Sequence, residues 1–181
     1  MPKPDLSQLK VLILDNNHHF LSMLSSILNG FGIRNVHQAD NAVSALEIIK
    51  FHTIDIACVD LIMDGIDGFE FAKLVRHGSD SPNPYLPMIM ITSAGTFSTV
   101  HKAINSGFDE FLSKPIKPID VYRRIISVIE KPHSYIETEN GYIRPDRRRR
   151  DDVNFKGSER RSKIEPAVSS MSVSPDETAG P

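Results

Sequence analysis

The sequence predicts an α/β protein whose core is a doubly wound, five-stranded parallel sheet over residues 8–130, followed by a tail, 131–181, expected to be disordered. Three observations carry this. Five short apolar runs alternate with five amphipathic helical patterns, and parallel neighbours need such crossovers. Four of the apolar runs stop abruptly on a polar residue: Asp15, Asp60, Thr92 and Lys114. Apolar periodicity then vanishes beyond Glu130, where Pro, Ser, Arg, Asp and Glu dominate.

The elements follow in order. Lys10 to Asp15 reads as the first strand, with Val11, Leu12, Ile13 and Leu14 as a buried run. Asn16 or Asn17 can cap the next helix, where Phe20, Leu21, Met23, Leu24, Ile27, Leu28 and Phe31 recur at helical spacing and Gly30 and Gly32 mark its end. Asn35 to Ala39 is a short edge-side strand. Asp40 or Asn41 caps a second helix carrying Val43, Leu46 and Ile49. Asp55 to Asp60 is the third strand. After a loop punctuated by Gly65 and Gly68, Phe69, Phe71, Ala72, Leu74 and Val75 form a third helix capped by Asp67. The stretch from Gly78 to Pro87 is a loop by composition. Strand four ends at Ile91, a fourth helix runs from Phe97 to Asn105 and closes at Gly107, and the fifth strand reaches Ser113. Pro118 suits the first turn of a last helix bearing Val121, Tyr122, Ile125, Ile126 and Ile129 on one face.

Bulk properties exclude several classes. Of 181 residues, 40% are hydrophobic and 24% charged, and the net charge of −2 gives no global field suited to nucleic acid or membrane. The single cysteine, Cys58, lies in a strand pattern, so no internal disulfide can form and a small buried apolar residue is expected. No apolar run resembles a signal peptide or approaches the roughly 18 residues of a spanning helix. A cytoplasmic protein is expected.

In a parallel sheet the carboxyl ends of the strands share one rim, and ligands gather there. Two carboxylates, a hydroxyl and an ammonium would therefore converge. In this set and order, Asp15, Asp60 with Met63 and Asp67-Gly68 behind it, Thr92, and Lys114-Pro115 resemble a response regulator receiver domain of two-component signalling. The resemblance spans about residues 8–130. It implies the flavodoxin-like strand order 2-1-3-4-5, with Asp60 as the phosphoacceptor, Lys114 neutralising a phosphoryl oxygen and Thr92 hydrogen-bonding another. A carboxylate attacking a phosphoryl group needs both negative charges offset. Mg²⁺ suits that role, with Asp15 and Asp60 as ligands and the Ile62 backbone carbonyl as the third protein oxygen that the resemblance implies. The family's switch places Thr92 and the aromatic Phe111 in motion, so that helix four, strand five and helix five form the responsive surface and a possible homodimer face. Such a protein is no enzyme in the ordinary sense: self-phosphotransfer and slow autodephosphorylation are its only chemistry.

Departures from the family pattern matter. Asn16 stands where a second acid is usual, leaving at most a neutral ligand and a weaker or altered use of Mg²⁺. Asp64 replaces a usual proline. The resemblance implies that Ile62 and Ala94 flank the path of a hydrolytic water; neither side chain would orient it, so slow loss of the phosphoryl group is expected. His18 and His19 are adjacent on a helix, do not face one way, and read as surface residues rather than as metal ligands.

The tail holds a weak internal echo, Tyr142 to Arg148 against Phe155 to Arg161, and residues 142–163 carry 9 basic side chains against 4 acidic ones, peaking at Arg147–Arg150. Three readings follow. The first is a phosphoaspartyl response regulator served by a histidine kinase or histidine phosphotransfer protein and acting on an unknown downstream protein. The second, motivated by Asn16, is a pseudo-receiver interaction module. The third is a regulator that binds nucleic acid or another anionic surface through the tail.

Overall fold

The computed structural model describes residues 4–78, 81–93, 96–137, 143–146 and 162–164. Its main sheet has five parallel strands: β1 (Lys10–Leu14), β2 (Asn35–Ala39), β3 (Ile56–Val59), β4 (Met88–Thr92) and β5 (Glu110–Ser113). They lie in the order β2-β1-β3-β4-β5, so the chain reverses its winding direction between β1 and β3. The crossovers are α1 (His18–Gly30), α2 (Ala42–Phe51), α3 (Gly68–His77) and α4 (Phe97–Asn105), and α5 (Pro118–Glu130) closes the unit. The expected alternation, its strand order and the edge position of Asn35–Ala39 are all present.

Strand alternation divides the core into two layers. Leu12, Leu14, Ala57, Val59, Met88 and Met90 face the side covered by α2 and α3, together with Ala103 and Phe108. Val11, Ile13, Ile56, Cys58, Ile89 and Ile91 face α1 and α5. Cys58 is a packing residue, as expected, and burial pushes its thiol up to about 12. Helix starts are set by side chains that accept orphan backbone donors. Asn17 accepts from the N–H groups of His19 and Phe20, and Asn41 accepts from Ser44. Asp67 and Glu70 form a reciprocal capping box, and Pro118 opens α5.

Past Glu130, three short strands, β6 (Tyr135–Glu137), β7 (Ile143–Pro145) and β8 (Ser162–Ile164), form an antiparallel sheet in the order β7-β6-β8. Tyr135 of β6 is 1% exposed and packs into the main domain. Its hydroxyl donates to Asp109 at 3.0 Å, and its ring lies 4.9 Å from the Arg76 guanidinium carbon. Arg147–Arg150 and the second half of the echo lie outside the described residues.

Arg76 is the centre of this end of the molecule. Its side chain is wholly buried and donates to the carbonyls of Gly107, Pro84 and Leu86 and to the Asp109 carboxylate at 3.1 Å. Gly107 has φ +94°, which favours glycine, and a Cβ there would crowd the Arg76 side chain at 3.0 Å. Burial raises the Asp109 carboxyl against the opposing pull of Arg76 and the Met88 N–H.

Burial, and after it the Asp109 charge, hold the Tyr135 phenol well above its usual value. The sign follows from linkage: the unfolded phenol ionises first, so the stabilisation is complete below about pH 10 and is lost as the pH rises toward the folded value. Tyr135→Phe is accordingly expected to cost about 1–2 kcal/mol at neutral pH and to flatten the alkaline decline. Urea midpoints at about pH 9 and about pH 11 measure it; equal slopes for the two proteins would remove this role.

Candidate functional site

Each of three key residues stands one place beyond its strand, where its backbone still continues the ladder. The Asp15 N–H donates to the Ala39 carbonyl at 3.1 Å, that of Asp60 to Leu14 at 2.8 Å, and that of Lys114 to Thr92 at 2.8 Å. The ladder thus fixes all three at the carboxyl rim, Asp15 and Asp60 beside the crevice between β1 and β3 and Lys114 at the end of β5. Thr92 closes β4, is fully buried, and pairs in register with Ser113.

The side chains meet. The Lys114 ammonium donates to Asp15 Oδ2 at 2.6 Å and to Asp60 Oδ2 at 2.9 Å. The two carboxylate oxygens are therefore no farther apart than those two contacts laid end to end. Each carboxylate is also gripped from behind by a backbone donor. Asn17 N–H reaches Asp15 Oδ1 at 2.8 Å, and Leu61 N–H reaches Asp60 Oδ1 at 2.7 Å. Asp15 is 1% exposed and Asp60 7%, so one face of the pair stays open to solvent through Asp60. The flexible stem of Lys114 crosses β4 to reach them, and its ammonium lies 4.0 Å from the centre of the Phe20 ring.

Two carboxylates this close repel unless a cation intervenes, and the ammonium does so here. Oxygen donors, two of them anionic, are also the set a hard divalent ion takes. Among the described residues no three His, Cys, Asp or Glu gather to hold a metal, so any ion here would draw its remaining ligands from backbone carbonyls and water, as Mg²⁺ commonly does. The residues fit Mg²⁺. Asn16 is exposed beside Asp15, and Ile62 is among the exposed large apolar residues, 55% exposed. Ala94 lies outside the described residues. His18 and His19 are exposed at the start of α1, away from any metal-ligand cluster among the described residues. Phe111 is half-buried and packs against the layer that α2 and α3 cover.

Gly68 has a reason that its loop pattern conceals. A Cβ at this position would sit 2.4 Å from the Asp60 carbonyl oxygen and 2.9 Å from Leu61 Cα. The first residue of α3 thus lies directly on the backbone of the acidic site, tied by its N–H to the Leu61 carbonyl at 3.1 Å. Gly68→Ala is expected to cost about 1–3 kcal/mol through overpacking and to displace the Asp60 backbone. A thermal-unfolding midpoint equal to that of the unsubstituted protein would contradict the contact.

Sequence reasoning found Asp15, Asp60, Thr92 and Lys114, and the structure brings them to one rim. It missed the Leu61 and Asn17 donors, which leave no trace in residue type, and Phe20, which its spacing assigns to the core. A separate cavity of about 590 Å³ lies at the opposite end of the sheet, bordered by Leu9, Ile54, Tyr85, Val128, His133 and Tyr135; none of the four rim residues lines it.

Residues 11–126 match the family model described as Response regulator receiver domain. The Heme response regulator HssR of Staphylococcus haemolyticus is 34% identical over 122 residues, which are 67% of this chain and 52% of the relative. The chain thus spans about half the length of the curated relatives it matches. Among solved structures, the chemotaxis protein CheY4 of Vibrio cholerae superposes with a TM-score of 0.61 at 27% identity, covering 66% of this chain and 98% of that one. The receiver domain of the sensor histidine kinase PA1611 from Pseudomonas aeruginosa, described with a magnesium ion coordinated in its active site cleft, shares the fold: TM-score 0.61, 18% identity, 68% and 98% coverage.

Proposed function

Since the chain belongs to the response regulator receiver domain family, we propose that it is a phosphoacceptor signalling protein that takes a phosphoryl group on Asp60 from a histidine kinase or a histidine phosphotransfer protein. One observation carries the reading: a single ammonium, Lys114 Nζ, bridges the carboxylates of Asp15 and Asp60 at 2.6 and 2.9 Å.

The residues divide the work. Asp60 Oδ attacks the phosphorus of the donor phosphohistidine, the P–N bond breaks, and the imidazole leaves. Asp60 Oδ1 is held by the Leu61 N–H, which aims the carboxylate. Lys114 moves its charge from Asp60 Oδ2 to a phosphoryl oxygen, acting as a point charge. The Thr92 hydroxyl takes another phosphoryl oxygen. Asp15, Asp60 and the Ile62 carbonyl would hold Mg²⁺, which supplies charge neutralisation when bound, and Asn16 would add at most a neutral contact. Chemistry of this kind is mostly positioning and electrostatics.

Thr92 and Phe111 form the switch: the new charge draws the Thr92 hydroxyl toward the phosphoryl group, and Phe111, already half-buried, turns inward to fill the space. The surface of α4, β5 and α5 then carries the signal to a downstream protein or to a second copy of the chain. Among the described residues no helix is long and apolar enough to cross a membrane; a cytoplasmic location is proposed from the family alone.

Acetyl phosphate with Mg²⁺ tests the proposal. The unsubstituted protein should gain one phosphoryl group by intact mass, and Asp60→Asn should gain none. Absence of the gain in both would favour the pseudo-receiver reading that Asn16 invites. The exposed Ile62 side chain carries no polar atom to orient a hydrolytic water, so the phosphoryl group should be lost slowly. Release from the isolated protein as fast as from rapidly cycling chemotaxis receivers would contradict this.

A further inference from the structure

We propose that Phe20 is a positioning residue for Lys114, holding the ammonium over its ring while the lysine exchanges one anionic partner for another; this rests on the phosphoacceptor reading above. An ammonium has three N–H donors. Two of those on Lys114 go to Asp15 and Asp60, at 2.6 and 2.9 Å, and the Phe20 ring centre is 4.0 Å from the same nitrogen. The face of an aromatic ring is its electron-rich side and attracts a cation placed over it.

The ring is held where this is needed. Asn17, the cap of α1, accepts the Phe20 N–H at 3.1 Å, which fixes the residue in the first turn, and the side chain packs on the layer beneath α1 and α5. His18 and His19, its neighbours, are exposed. Of the first three residues of the helix, Phe20 alone is partly buried, and it is the one that meets Lys114.

A neutral partner has a particular use here. A divalent ion held by the two carboxylates would weaken their hold on the lysine, and the ammonium must then stay close enough to meet the incoming phosphoryl oxygen. An acidic third partner would compete with the phosphoryl group for the lysine, and water would let it swing away. The ring does neither.

Two measurements on the full chain test this. Graded fluorination of Phe20 withdraws electron density from the ring while keeping its shape. The rate of phosphorylation by acetyl phosphate at saturating Mg²⁺ should fall stepwise, reaching about three- to tenfold at trifluorination, with the thermal-unfolding midpoint unchanged. A flat series in a protein that is phosphorylated would overturn the proposal. Independently, the Lys114 ε-methylene protons should resonate upfield from ring current in the metal-free protein and should remain so with Mg²⁺ and beryllofluoride, and Phe20→Leu should abolish the shift. Loss of the shift on loading, or its absence from the start, would refute the positioning role. Should the unsubstituted protein take up no phosphoryl group at all, the phosphoacceptor reading fails, and the metal-free shift still decides whether Phe20 holds Lys114.

Discussion

Arg76→Leu should destabilise the domain by about 3–5 kcal/mol, a large share of the 5–15 kcal/mol that typically holds a domain together. The side chain is 0% exposed and its partner Asp109 3%. Leucine would leave the Asp109 carboxylate buried without its cation and strip donors from the Gly107, Pro84 and Leu86 carbonyls together. A lone charge cannot substitute, because Arg76 makes its contacts through a planar fork and an ammonium has no such geometry; Arg76→Lys should therefore recover little. Adding Asp109→Asn to Arg76→Leu removes the stranded charge and should restore part of the loss. Urea denaturation measures all three, and a loss below about 1 kcal/mol for Arg76→Leu would show that the network is dispensable.

Lys114→Ala should separate chemistry from metal binding. Phosphorylation by acetyl phosphate should slow by at least about 10²-fold, the usual result of deleting a group that stabilises developing charge. The response to Mg²⁺ should move the other way. Without the ammonium, Asp15 and Asp60 face each other with no cation between them, so a divalent ion relieves more repulsion. The rise in unfolding temperature on adding Mg²⁺ should be larger in Lys114→Ala than in the unsubstituted protein. Parallel decline of both properties would mean that Lys114 supports the site structurally rather than as a counter-charge.

The features legible from residue order alone were those that follow a period or end one. Val11 to Leu14 stopping at Asp15, and Ile56 to Val59 stopping at Asp60, locate strand termini because an apolar run in a parallel sheet must be buried and a charge cannot continue it. The alternation of runs with helical spacing then fixes the class of sheet. Contacts between distant elements carry no such mark. Arg76 lies on a helix whose polar residues read as solvent-facing, and nothing near it in the chain announces Gly107 or Asp109 as partners. Gly68 reads as an ordinary loop glycine because the obstacle to its side chain is the backbone of Asp60. Tyr135 is one aromatic in a segment of Pro, Ser and charge, so composition assigns it no core, although a single well-satisfied ring suffices to dock a short strand.

The attachment at Tyr135 also sets a distance. Strands of four or five residues separate the two poles of the sheet by about 15 Å, with Asp60 at one pole and Asp109 near the other. Arg144 of β7 reaches Asn105, the last residue of α4, by a long hydrogen bond of 3.5 Å, while the first turn of α4 follows shortly after Thr92. A pivot of that helix would therefore tug on both poles at once, making it a seesaw whose far arm bears the outermost strand of the small second sheet.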